Sequence, residues 1–274
     1  MRNKITAKLI GPSELFTGFH NFGLCNQMFQ IATILSYAHD YDFDAIFPGL
    51  KNSHYGNYTK NIFRNLIIDE DMPNNYSWYV EPKYSYHPIP KRDESFAIRD
   101  SYCQSEKYFI HNRKLILDTF APQDEDIEYI RAKYENILLN EKTVSCHVRR
   151  GDYTQLENAH PHIWETDYYD NALEEIDHSM VLVFGDDMEY CKERFKNINA
   201  TFIHEKDYLD LYIMSMCENN IIANSSFSWW GAWLNQNPDK KVIVPIEWFG
   251  NDKPHGGRGG HTDGDLIPEG WIKL

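Results

Sequence analysis

The sequence predicts an α/β protein whose second half forms an open parallel sheet with helices on its faces. From Glu141 onward, short apolar segments alternate with amphipathic ones, which is the pattern of strands joined by crossover helices. The segment "MVLVF", 180–184, is a continuous apolar run, as expected for a strand buried on both faces. A chain of 274 residues has enough material for one large domain or two medium ones.

The elements of that half follow in chain order. "TVSCHV", 143–148, alternates as a strand does, with Val144, Cys146 and Val148 on one face and Ser145, His147 and Arg149 on the other. "YLDLYIMSMCEN", 208–219, has the period of a helix, and "IIA", 221–223, and "VIVP", 242–245, are short strands.

The first half is less regular, particularly between Phe43 and Asp100. "NQMFQIATILSYAHD", 26–40, is its one clear helix, for which Asn26 is the expected N-cap and Gly23 the preceding turn residue. The charged stretch 121–142 predicts a helix that leads into the second half. We therefore expect a domain boundary near Asn140.

Composition limits the function classes. A net charge of −14 argues against a nucleic-acid-binding protein, whose surface carries a basic face. The five cysteines are scattered without a CxxC pair, which favours free thiols in a reducing compartment. The N-terminus lacks the apolar core of a signal peptide, and no run reaches membrane-spanning length. These features predict a cytoplasmic protein.

Polar side chains follow three of the predicted strands. In open α/β sheets, ligands bind beyond the carboxyl ends of the strands, so these residues are expected to line one crevice. The segments are "RRGD", "GDD" and "NSSF", which contribute Arg149, Arg150, Asp152, Asp186, Asp187, Asn224, Ser225, Ser226 and Phe227.

The two arginines at the end of the first of these strands suit a diphosphate, because guanidinium groups make bidentate, charge-assisted bonds to anionic oxygens. An ion pair with Asp152 is the simpler alternative. A third alternative is a non-catalytic adhesion or sugar-binding module that acts through Arg150-Gly151-Asp152. That alternative requires an exposed loop tip in a secreted protein, whereas here the tripeptide directly follows a strand.

The other two segments also have two interpretations. Ser225 or Ser226 is an ordinary helix cap, or the helix N-terminus behind it is an anion site. Asp186 and Asp187 cap a helix, or they contact a nucleotide or Mg²⁺. Trp229, Trp230 and Trp233 fit packing better than a sugar platform. The glycine-rich segment 255–261 has neither GxGxxG nor a P-loop pattern, which counts against a dehydrogenase and a P-loop kinase, and we interpret it as a flexible loop.

Several motifs together resemble glycosyltransferase family 11, the α-1,2-fucosyltransferases, over the length of the chain. They are "FGLCNQMFQIA", "HVRRGDY", "VFGDDMEYC", "NSSFSWWGAWL", "VIVPIEWF" and "DLIPEGWIKL". The resemblance implies a GT-B-type fold of two Rossmann-like α/β domains that face each other across a cleft. It assigns residues 1–140 to the acceptor side and 141–274 to GDP-fucose binding. It also implies inversion at the anomeric carbon, transfer of L-fucose from GDP-β-L-fucose to the 2-hydroxyl of a galactose-type acceptor, and no required metal.

The resemblance also implies roles for individual residues. His147 and Arg149 would meet the GDP, and Arg150 would support that site. Ser226 and Phe227 would lie at the phosphate and fucose, Asp187 at the guanine edge, and Asn26 near the reacting sugar. Cys25 departs from the family's usual glycine at that position, which bears on the backbone of the turn.

The resemblance leaves two points open. The base that takes the acceptor's proton is Asp152, Glu157 or an unmarked carboxylate of the first half. The acceptor contacts are expected in the first half, with His54, Tyr55, Trp78 and Tyr79 as candidates. A related transferase with another donor or linkage is the alternative enzyme.

Overall fold

The computed structural model describes residues 2–7, 23–48, 50–52, 56–68, 75–99, 101–140, 142–250 and 263–274. The chain divides into two compact units. The first comprises residues 1–121 and 255–268, and the second comprises residues 122–254 and 269–274. Each unit has its own sheet, and every strand pairing in both sheets is parallel. The predicted α/β class is therefore confirmed.

The first unit is built on a small sheet with one long buried helix. In the described residues its strands are β1 (Lys4–Ala7), β2 (Asp44–Ala45), β3 (Ser77–Tyr79) and β4 (Phe96–Ile98), and its helices are α1 (Leu24–Tyr41) and α2 (Arg113–Thr119). The sheet order is β2-β1-β4-β3. The strands between 43 and 100 have two or three residues each, too few to show a period in the sequence.

Helix α1 begins earlier than the sequence predicts. Its N-cap is Gly23, and Leu24 and Cys25 are already helical and buried. Asn26 therefore lies inside the first turn, and the expectation that it caps the helix is wrong. Burial of the residues at helical spacing, among them Met28, Ile31 and Leu24, drives the helix to start where it does.

The second unit has a larger sheet in the order β10-β9-β8-β5-β6-β7. Its described strands are β5 (Thr143–Val148), β6 (Met180–Gly185), β7 (Ala200–Ile203), β8 (Asn219–Ile221), β9 (Val242–Val244) and β10 (Ile272–Lys273). Its helices are α3 (Asp124–Asn140), α4 (Tyr168–Glu175), α5 (Met188–Arg194), α6 (Asp207–Met216) and α7 (Ser226–Leu234). From β5 the chain builds outward to β7 and then crosses to β8 on the other side. The carboxyl ends of β5 and β8 therefore form the topological switch point, where open α/β sheets bind their ligands.

The division between the units falls before α3, whereas the sequence suggested a boundary near Asn140. Helix α3 belongs with the second unit because its side chains bond the segment that precedes α6. The Tyr129 hydroxyl donates to Glu205 Oε2 at 2.8 Å, and Lys133 and Tyr134 both bond Glu205 Oε1.

Buried side chains of the two units confirm two further expectations. Trp229, Trp230 and Trp233 are buried and contact one another, as packing residues do. All five cysteines are buried free thiols. Among the described residues, no helix combines the length and the hydropathy that crossing a membrane requires.

Candidate functional site

His147 is the last but one residue of β5 and lies at the switch point of the second sheet. It is buried, and its Nδ1 lies 2.9 Å from the Ser228 hydroxyl on α7. Its ring is 5.4 Å from the ring of Phe227. Burial, reinforced by the charge of Arg149, lowers the pKa of His147 to about 3. The imidazole is therefore neutral at neutral pH, with one nitrogen that donates and one that accepts.

Arg149 follows β5 directly and lies between two carboxylates. Its Nη1 donates to Asp186 Oδ2 and its Nη2 to Asp152 Oδ1, both at 2.6 Å. Asp186 is held further by the backbone N–H of Arg150 at 2.8 Å. The Arg149 guanidinium stands 5.1 Å from the ring of Tyr153. The group thus has a fixed direction, and its more exposed partner is Asp152, whose side chain is 62% exposed against 27% for Asp186.

Arg150 turns to the other side and packs into the unit. Its guanidinium lies 4.0 Å from the centre of the Tyr190 ring and forms an ion pair with Asp187. Asp187 also caps α5 by accepting the backbone N–H of Tyr190 at 3.0 Å. Both oxygens of Asp187 are therefore engaged in holding α5 and Arg150. The tripeptide 150–152 opens a 3₁₀ turn, with its arginine anchored against the unit.

The N-terminus of α7 lies beside His147. Ser225 is the N-cap, and its hydroxyl accepts the backbone N–H of Phe227 at 3.3 Å, so the capping interpretation applies to this serine. Ser226 and Phe227 are half-buried at the start of the helix. The helix supplies the positive end of its dipole at the point where β5 ends.

Asn224, which follows β8, connects two loops of this region. Its side chain is fully buried, and its Nδ2 donates to the Pro161 carbonyl at 3.1 Å. Its backbone carbonyl accepts the Tyr153 hydroxyl at 3.3 Å. Asn224 therefore ties the loop after β8 to the loop after β5.

The remaining sequence-predicted residues, Asn26 and Gly23, belong to the first unit. The Oδ1 of Asn26 accepts the Gln104 Nε2 at 2.7 Å, and the Oε1 of Gln104 accepts the Tyr84 hydroxyl. The Asn26 amide also has a second lone pair on Oδ1 and the Nδ2 donor. Gly23 acts as the N-cap of α1, without a side chain of its own.

Gln104, Tyr84 and Ser228 were not singled out from the sequence. Ser228 lies within "SSFSWW", three residues after Ser225. That helical spacing was the available signal. Gln104 and Tyr84 lie in stretches without a period, so no sequence signal marked them.

Not all of the residues singled out from the sequence fall within the described ranges. The glycine-rich segment 255–261 and the acceptor candidates His54 and Tyr55 lie outside the described residues. Within the described ranges, Trp78 is half-buried and Tyr79 is buried, both on β3. Within the same ranges, no group of three or more His, Cys, Asp or Glu side chains is arranged to hold a metal ion.

Two parallel sheets, with charged groups at the switch point of the second, are the features by which the fold class can be compared with known structures. The structure resembles the crystal structure of the fucosyltransferase NodZ from Bradyrhizobium, with a TM-score of 0.53 over 84% of this chain and 91% of that chain, at 14% identity. At such low identity this likeness concerns the fold alone, which is the GT-B class expected from the sequence.

The particular family follows from sequence comparison. The model of glycosyl transferase family 11 matches residues 2–253, and the chain belongs to this family. An O-antigen biosynthesis glycosyltransferase, WbnK of Escherichia coli, is 33% identical over 190 residues, which are 64% of this chain and 59% of the relative. An α-1,2-colitosyltransferase of the same organism is 30% identical over 185 residues, 63% of this chain and 61% of the relative. The matched region thus spans about three fifths of each of these relatives.

Proposed function

We propose that the protein transfers L-fucose from GDP-β-L-fucose to the 2-hydroxyl of a galactose-type acceptor, with inversion at the anomeric carbon. The observation that carries the proposal is the grouping of Arg149, His147 and the N-terminus of α7 at the switch point of the second sheet. Family membership and a fold shared with the α-1,6-fucosyltransferase NodZ, whose crystals have been soaked with GDP-fucose, support the donor.

The donor diphosphate binds at Arg149 by taking the place of one carboxylate. Asp152 is the partner that leaves, because its side chain is the more exposed, whereas both oxygens of Asp186 accept a hydrogen bond. Bidentate contact with phosphate oxygens then replaces the ion pair. The neutral His147 donates one N–H toward the same oxygens.

The chemistry follows from where charge develops. When the bond between the fucose carbon and the phosphate oxygen breaks, negative charge grows on the GDP. Arg149 and the first N–H groups of α7 stabilise that charge from fixed positions, which is the most effective form of electrostatic catalysis. In this proposal the arginine and the helix fill the role that a metal ion has in other transferases, and no metal is required.

The relatives support a place in glycan synthesis. WbnK is named for O-antigen biosynthesis, so we propose that the acceptor is a galactose-containing glycan or surface polysaccharide precursor. The name of the second relative favours one alternative, a colitose donor used for the same α-1,2 linkage. A purely adhesive role through residues 150–152 is disfavoured by the anchored side chain of Arg150.

Product analysis tests the proposal. The protein is incubated with GDP-fucose, a colitose nucleotide or a UDP-sugar, each with a panel of β-galactosides, and the linkage of any product is determined. An α-1,2-fucosylated galactoside supports the proposal. Transfer of colitose alone establishes the alternative, and transfer only from UDP-sugars overturns both.

A further inference from the structure

Tyr153 contacts Arg149 from the 3₁₀ turn that follows β5, Gly151–Gln155. The guanidinium of Arg149 stands over the Tyr153 ring, 5.1 Å from the ring centre. A guanidinium in this position is attracted by the negative charge density on the face of the ring. The contact is made with the ring and uses none of the N–H donors of the guanidinium. It therefore orients Arg149 and leaves those donors for an anion.

The Tyr153 ring is itself held in place. It is stacked on the ring of His160, with centres 4.0 Å apart and planes at 8°. Its hydroxyl donates to the Asn224 carbonyl at 3.3 Å, and its backbone carbonyl accepts the Nε2 of His162 at 2.9 Å. Burial raises the pKa of Tyr153 to about 12, so the hydroxyl keeps its proton and remains a donor at neutral pH. The ring is thus fixed by its face, by its hydroxyl and through its backbone.

The loops after β5, β8 and β9 are bonded to one another around this tyrosine. These three strands are neighbours in the sheet. The Asn224 Nδ2 donates to the Pro161 carbonyl at 3.1 Å, and the Gly250 N–H donates to the Ala159 carbonyl at 2.9 Å. Asn224 directly precedes the N-cap of α7, so the Tyr153 hydroxyl also connects the ring to the start of that helix. Three loops, and not one turn alone, therefore determine where the ring lies.

The ring contact matters most when a donor is bound. Under the proposed function Asp152 leaves Arg149 as the diphosphate binds, which removes one carboxylate that orients the guanidinium. Asp186 and the Tyr153 ring are the contacts that stay. Electrostatic stabilisation of a leaving group is greatest when the charged group is already aimed and does not have to reorient. A partner that phosphate cannot displace supplies this orientation.

We propose that Tyr153 is a positioning residue, whose ring keeps the Arg149 guanidinium aimed at the donor diphosphate after Asp152 has left. This inference rests on the proposed function. Tyr153 acts through Arg149, and its effect comes from the ring rather than from the hydroxyl. His160 supports the ring by stacking on it.

The variants Tyr153→Leu and Tyr153→Phe test the ring and the hydroxyl separately. We expect Tyr153→Leu to weaken GDP binding about tenfold in calorimetry, the size of a desolvated contact between a cation and a ring. Tyr153→Phe keeps the ring under Arg149, so its GDP affinity should stay within about threefold of wild type. An equal loss in Tyr153→Phe would assign the effect to the hydroxyl and overturn the role of the ring.

Tyr190→Leu is the matched control, because the same unit holds a second arginine on a second tyrosine. The guanidinium of Arg150 lies 4.0 Å from the centre of the Tyr190 ring. We expect Tyr190→Leu to lower the stability in urea and to keep the GDP affinity of wild type. If Tyr190→Leu loses as much GDP affinity as Tyr153→Leu, the effect is a general one on the unit and the inference is wrong.

A double-mutant cycle tests whether Tyr153 acts through Arg149. In the Arg149→Ala background, Tyr153→Leu should change GDP affinity by less than about twofold, because the group that the ring orients is absent. A tenfold loss that persists in this background would show that the ring acts on GDP by another route, which contradicts the proposal.

An NMR measurement on the unaltered protein is independent of how the variants fold. Protons above the face of a tyrosine ring resonate at high field because of the ring current. The side-chain protons of Arg149 are assigned by their absence from the spectrum of Arg149→Lys. We expect them at high field without ligand and also with saturating GDP.

The outcomes distinguish this inference from the proposed function. If wild-type protein neither binds GDP nor forms product with any donor, the proposed function fails. If wild type binds GDP and folded Tyr153→Leu binds it within about twofold as well, the inference about Tyr153 is wrong while the function stands. If Tyr153→Leu does not fold, the NMR measurement decides: Arg149 protons that stay at high field with GDP support the inference, and their return to the ordinary position overturns it.

Discussion

His147 on β5 and Ser228 on α7 share a hydrogen bond of 2.9 Å between Nδ1 and Oγ. The same Ser228 oxygen accepts the backbone N–H of Ala223 at 3.1 Å. Its proton has two acceptors within reach in the described part of the chain, Nδ1 at 2.9 Å and the Ser225 carbonyl at 3.4 Å, and the shorter distance favours Nδ1. We therefore assign the ring proton to Nε2, which under the proposed function is the donor toward the diphosphate.

The variant Ser228→Ala tests that relationship. It leaves two buried partners unsatisfied, the Ala223 N–H and the His147 Nδ1, so we expect a loss of about 1–3 kcal/mol in the free energy of unfolding. GDP affinity should fall as well, because the ring loses its orientation. Urea denaturation and calorimetry measure the two effects. Ser215→Ala, which loses only a bond of 2.8 Å to its own helix, serves as the control, and equal behaviour of the two variants would contradict the account.

The titration of His147 predicts a pH effect on stability. Its pKa is about 3 when folded, below the ordinary value of 6.5, so the unfolded chain binds the proton first. The contribution of this group is present in full above pH 6.5 and is lost as the pH falls toward 3, with a slope of up to about 1.4 kcal/mol per pH unit. Denaturation of wild type and His147→Gln between pH 7 and about 4.5 measures the difference. If the stabilities of the two proteins change in parallel with pH, His147 in the folded state takes up its proton at the ordinary pKa, which contradicts the prediction.

Arg150 is expected to act on stability more than on chemistry. Its guanidinium packs on Tyr190 and pairs with the cap of α5, so Arg150→Ala should lower the free energy of unfolding by about 2 kcal/mol. Arg150→Lys should recover little of this loss, because a lysine cannot stack a planar group on the ring. Thermal and urea unfolding measure both variants. Full stability of Arg150→Ala with loss of GDP binding would instead assign this residue to the ligand.

Alanine substitutions at two glycines near Arg149 are expected to cause different defects, one in the binding of GDP and one in stability. A Cβ on Gly151 would lie 2.5 Å from Asp186 Oδ2, so Gly151→Ala moves this carboxylate from Arg149 at little cost in stability. A Cβ on Gly185 would lie 2.9 Å from the Val148 backbone oxygen, which cannot move within β5, and Gly185→Ala should cost about 1–3 kcal/mol. GDP affinity and urea denaturation of the pair check this. Unchanged GDP affinity in both variants would contradict the geometry. A loss of stability in both variants would contradict it as well.

The second unit was largely predictable and the first was not, for physical reasons. Strands β5 and β6 have six residues each, with alternating or continuous apolar character that sequence displays directly. Strands β3 and β4 have three residues each and acquire their identity only from pairing. Asn26 resembles a cap because capping residues are polar. Burial of Leu24 and Cys25 extends the helix toward the N-terminus, so that it begins before Asn26.

The candidate site shows the same contrast. The rule that ligands lie beyond strand ends led to Arg149 and Ser226, because their strands were visible in the sequence. The same rule cannot be applied to β3 and β4, because strands of three residues do not show a period in the sequence.

Calorimetry of GDP binding to wild type and Arg149→Ala tests the central claim that Arg149 holds the donor diphosphate. We expect GDP to bind wild type in preference to UDP, and Arg149→Ala to lose about 100-fold in affinity, as loss of a charge-assisted bidentate contact does. Arg149→Lys should recover little of the loss, and Arg194→Ala, which removes the same charge from an ion pair with Asp170, should bind as wild type does. Equal GDP affinity of wild type and Arg149→Ala, or a preference for UDP, would contradict the claim.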